Sequence, residues 1–83
     1  MDEALSVMRK TAYLTGPIAL AAATDHLKNE QIELDDDVPL TVGLRIKFKP
    51  KYFDKNVVFV VETITYNLDD GDYSLAGSAT IST

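Results

Sequence analysis

The chain has 83 residues, 46% of them hydrophobic and 25% charged, a balance that excludes intrinsic disorder, collagen-like repeats and long coiled coils. Cysteine is absent, which removes disulfide frameworks, thiolate nucleophiles and Cys-based zinc sites. Thirteen acids against eight bases give a net charge of −5, which disfavours duplex DNA as a partner, and the length fits one small domain spanning residues 1–83.

The first third predicts helix. Asp2 fits a helix cap, and Ala4, Leu5, Met8, Ala12 and Tyr13 recur near helical spacing. Gly16 fits the position just past that helix, and Pro17 the first turn of another. Residues 18–28 are alanine-rich, with Leu20, Ala23 and Leu27 as a narrow apolar stripe. The segment reads as a helical hairpin or as one kinked helix. Arg9 and Lys10 ahead of an apolar run resemble a signal peptide. Asp2 and Glu3 cancel that charge, however, and Thr15-Gly16-Pro17 interrupts the run, so the cytoplasm is the expected compartment. No uncharged stretch reaches the ~18 residues of a membrane span, and no membrane partner is expected.

Residues 29–37 carry Glu30, Glu33, Asp35, Asp36 and Asp37 and read as a solvated connector, with Ile32 and Leu34 alternating as in a short strand. Val38, Leu40, Val42, Leu44, Ile46 and Phe48 then recur at strict period two, which specifies a strand with one buried and one wet face, ended by Pro50. Residues 51–56 read as a loop. Val57–Leu68 is β-branched and aromatic, a second strand. Asp69-Asp70-Gly71-Asp72 is a hairpin turn, and Tyr73, Leu75, Ala79 and Ile81 mark a last strand. The low bulk of Ala76-Gly77-Ser78 points to a helix or another backbone passing close over it. The predicted fold is α+β, with an N-terminal helical segment packed on an antiparallel meander of three or four strands.

Both parities of the second strand are apolar. Odd positions give Val57, Phe59 and Val61; even positions give Val58, Val60, Ile64 and Tyr66, with Glu62 among them. Two apolar rows call for cover on both sides. The helical segment covers one. The other, Val58, Val60, Glu62, Ile64 and Tyr66, is the expected interaction face, since the acidic connector is ill suited to cover valines. The last strand, at a sheet edge, offers a second route to a homodimer.

The remaining chemistry is sparse. Residues 45–55 hold five of the eight bases, and Arg45, Lys47, Lys49 and Lys51 form a basic stripe at strand spacing. Near Tyr52 and Phe53 it has the general character of a single-strand nucleic-acid platform, or it is a solvated face that discourages aggregation. His26, the only histidine, lacks a nucleophile or positioning motif beside it. With Gly71 at the sixth position of a calcium loop, Tyr66 and Leu68 fall where acids are needed, and the four glycines match no phosphate-binding motif. No catalytic residue, metal site or cofactor is therefore expected. The expectation is a non-enzymatic protein–protein interaction module with a regulatory, inhibitory or assembly role, homodimeric through a sheet face or edge. Single-stranded nucleic-acid binding through residues 45–51 is the alternative.

Overall fold

A computed structural model describes residues 9–19, 24–51 and 53–82. They form five strands and no helix: β1 (Arg9–Ala19), β2 (Thr24–Asp35), β3 (Arg45–Phe48), β4 (Val57–Asn67) and β5 (Asp72–Ile81). One curled sheet has the order β2-β1-β5-β4-β3, with β1 parallel to β5 and every other pairing antiparallel. The protein is an all-β, mixed-sheet half-barrel.

This corrects the predicted α+β class and antiparallel sheet. Of residues 9–28, predicted helical, 9–19 form β1 and 24–28 begin β2. The predicted first helix up to Met8 and the stripe residues Leu20 and Ala23 lie outside the described residues. Helix propensity is a weak prior that strand pairing overrides, and here β1 is enclosed by partners on both sides. Its inner row is Ala12, Leu14 and Ile18, all buried, and Gly16 stands between them at the same parity. Pro17, which cannot donate to a ladder, falls where the β1–β5 pairing skips from Thr15 to Ile18.

The predicted strand Val38–Phe48 is also shorter than its alternation suggests: only Arg45–Phe48 pairs. Residues 36–44 must carry the chain from β2, at one edge, to β3, at the other. Lys10 Nζ donates to the carbonyls of Asp36 and Val38, holding the start of this crossover. At its end Gly43 N–H donates to Val61 O, and Val61 N–H to Leu44 O. The period-two apolar pattern still has a use, because Leu40 and Leu44 pack against the core, while Val42 is 70% exposed.

The core lies in the concave face. Leu14, Ile18, Leu27, Val57, Phe59, Val61, Leu75 and Ala79 are buried there, with Phe48, Phe53 and Ile64 packed around them. Among the described residues no polar side chain is buried.

Two bulges shape the sheet. In β4, Val61 pairs with Gly77 and Thr63 with Ala76, so Glu62 is an extra residue. In β2, Gly16 pairs with Leu27 and Leu14 with Glu30, so Lys28 and Asn29 oppose Thr15 alone. Asn29 has φ 52°, a left-handed backbone that asparagine tolerates better than most residues. Thr15 fixes it: the hydroxyl donates to Asn29 Oδ1 (3.0 Å) and accepts from Asn29 N–H (3.2 Å). Asn29→Gly should therefore change stability by less than about 0.5 kcal/mol, and Asn29→Val should cost about 1–3 kcal/mol, read by urea unfolding. Equal stability of the two variants would mean that the left-handed bulge is not formed.

Candidate interaction surface

Residues that pair across an antiparallel ladder share a face. β3 and β4 pair Arg45 with Val60 and Lys47 with Val58, while Ile46 meets Phe59 and Phe48 meets Val57 on the inner side. Two cations and two half-buried valines thus form one four-residue cluster on the convex face. Val60 and Val58 in turn oppose Ser78 and Thr80 of β5, so hydroxyls border the cluster.

The bulge decides what else belongs to it. Before Glu62 the inner row is odd (Val57, Phe59, Val61); after it the inner row is even, and Ile64 pairs with the buried Leu75. Tyr66 sits on the same side, its ring 4.9 Å from that of Tyr73. The expected five-residue face is therefore divided. Val58 and Val60 are on the convex side, Ile64 and Tyr66 on the concave side, and Glu62 is exposed at the bulge. The second greasy side inferred from the sequence comes from counting parity through an extra residue.

The basic stripe is divided as well. Arg45 and Lys47 are exposed on β3. Lys49 and Lys51 follow in the loop, exposed but off the strand, and Lys51 N–H donates to Glu30 Oε2 at 2.7 Å. Phe48 and Phe53, the aromatics near these cations, are half-buried against the core. Tyr52 lies outside the described residues.

The last strand is not an edge: β5 is the middle strand of the sheet. The edges are β2 and β3. Along the outer side of β2, Gln31, Glu33 and Asp35 are exposed, an acidic row hidden in the sequence by the reading of helix followed by connector. Its signal was the alternation of Ile32 and Leu34 with acids. The row has weak partners within the sheet: Thr11 Oγ1 donates to Glu33 Oε2 at 3.3 Å, and Arg9 stands 3.9 Å from Asp35, both of that pair about half exposed.

Between β2 and the loop after β3 lies a cleft of about 360 Å³ lined by Ile18, Leu27, Pro50 and Phe53, with His26, Lys28 and Glu30 at its rim. Among the described residues no three His, Asp or Glu side chains converge as metal ligands, and no helix is long and apolar enough to cross a membrane. Comparison with protein-family models, with curated proteins and with solved structures returns no match.

Proposed function

We propose that the chain is a non-enzymatic protein–protein interaction module of the cytoplasm. Its docking surface is the convex cluster of Arg45, Lys47, Val58 and Val60, and its partner presents carboxylates around an apolar contact. The observation that supports this is the β3–β4 register, which sets two cations beside two valines within one four-residue patch. Valines supply apolar burial, and the flanking cations supply orientation and charge selection. Two cations whose neighbouring aromatics Phe48 and Phe53 pack inward make a poor stacking platform, and this favours protein over single-stranded nucleic acid.

The test is quantitative affinity capture from the native source, with and without nuclease. Proteins retained by the native chain should be lost with Val60→Asp and kept with Val42→Asp, a control on the exposed crossover. Far-UV circular dichroism should show both variants folded. A partner that vanishes on nuclease treatment would instead identify a nucleic-acid platform. A partner set unchanged by Val60→Asp would remove the patch from consideration.

A further inference from the structure

The two edges of the sheet carry opposite charge. β2 exposes Glu33 and Asp35 and continues into Asp36 and Asp37; β3 exposes Arg45 and Lys47 and continues into Lys49. Both edges alternate in the same way. On β2 the half-buried inner residues Ile32 and Leu34 lie between the acids, and on β3 the inner residues Ile46 and Phe48 lie between the cations. Among the described residues no further strand pairs with either one, and the loop after β3 reaches β2 at the Lys51–Glu30 contact. A groove of about 510 Å³ runs along β2 from Lys28 to Glu33, with Lys51 of the loop after β3 on its wall. Unpaired edges of this kind template pairing with another chain.

We infer that the strand taken up by the β2 edge is β3 of a second copy of this chain, docked over Gln31–Asp35, beyond the Lys51–Glu30 contact. The pairing is antiparallel: β3 runs with β5 and β1, and β2 runs against them. A twofold axis along the barrel axis keeps these directions and makes both contacts at once, β2 with the partner's β3 and β3 with the partner's β2. Two five-stranded half-barrels then close into one barrel of ten strands, in which each β3 covers the Gln31–Asp35 edge of its partner. Charge selects this arrangement over its competitors. Pairing β2 with β2 would set carboxylates on carboxylates, and β3 with β3 cations on cations, both unfavourable across a ladder. The contact shares Arg45 and Lys47 with the convex cluster but not Val58 and Val60, so Val60→Asp tests that docking surface and the charge exchange on β2 and β3 tests this one.

The experiment is a charge exchange on the purified full chain, read by light scattering and sedimentation over a range of concentration and salt. The native chain should be a dimer that weakens as salt rises. The Glu33→Lys/Asp35→Lys variant has two basic edges and the Arg45→Glu/Lys47→Glu variant two acidic ones. Each alone should be a monomer, folded by circular dichroism. Mixed, they should form a one-to-one dimer, because each edge then meets its opposite. A native chain that stays monomeric would overturn the inference. So would variants that dimerise alone, a mixture that fails to associate where the native chain does, or open polymers in place of a closed dimer.

Discussion

Gly77→Ala should leave the chain unfolded, or fold it with a loss of more than about 3 kcal/mol, above the usual overpacking cost. A Cβ at Gly77 would stand 2.0 Å from Val60 O and 3.0 Å from Phe59 Cζ. Neither neighbour can yield. Val60 O belongs to the ladder that joins β4 to β5, and Phe59 is fully buried. From the other side β1 presses on the same point, since a Cβ at Gly16 would lie 1.8 Å from Gly77 O. Gly16 also has φ 155°, so Gly16→Ala combines the clash with a disfavoured backbone and should be at least as damaging. Three strands meet here backbone to backbone. A chain of this size has a total stability of about 4–12 kcal/mol, so either change consumes most of it. Gly71→Ala is the control. It too has positive φ, but nothing lies within 4 Å of its added Cβ, and it should cost about 1 kcal/mol. Urea midpoints give the ranking. Gly77→Ala and Gly71→Ala variants of equal stability would mean that β1, β4 and β5 do not converge as described.

The same point separates what the sequence makes legible from what it hides. The β4–β5 hairpin is local: β-branched residues flank a Gly-containing turn, and its partners are near in the chain. The observed strands match that reading closely. The low bulk around Gly77 marks close backbone approach, as its composition suggests, but the approach comes from strands of the same sheet rather than from an element laid over it. The N-terminal third is the opposite case. β1 pairs with the next strand, β2, but its other side is taken by β5, some sixty residues on, which lies parallel beside it. No local signal announces such a pairing, and alanine-rich segments default to helix in any local account. The same non-local insertion moves β5 from the edge to the middle. For the candidate surface, Arg45 and Lys47 were legible from period two, as were Val58 and Val60. The acidic edge of β2 was legible only at Ile32 and Leu34, read as a short strand, because the residues before them read as helix and connector, and the inward turn of Ile64 and Tyr66 was not legible. One trace of the latter does exist: after Glu62 the apolar residues occupy even positions alone.

That trace leads to the second large effect, a contrast between two single-residue deletions in β4. Deleting Glu62 should leave a folded domain, at a cost of about 1–2 kcal/mol, whereas deleting Val60 should unfold it. The pairing shows why. With Glu62 removed, Val61 still faces Gly77 and Thr63 still faces Ala76, so every ladder pair and every facing is kept. Only the local bend of the bulge is lost, and Glu62 itself is exposed. Val60 is no more conspicuous in the sequence, but it lies in a regular stretch. Its removal slips the preceding residues by one, and a one-residue slip exchanges the faces of a strand. With the hairpin end held in register, Phe59 and Val57 would turn outward and Val58 inward. Both displaced residues are fully buried in the native chain. Exposing them forfeits about 1.5–3 kcal/mol each, before the lost fit of Ile46 and Ala79 around them is counted, and that approaches the whole stability of the domain. Proton–nitrogen correlation spectra and thermal melting of the two variants give the comparison. Dispersed resonances are expected for the Glu62 deletion and a collapsed spectrum for the Val60 deletion. If both unfold alike, β4 carries no extra residue at Glu62, and Ile64 and Tyr66 return to the convex side beside Val58 and Val60.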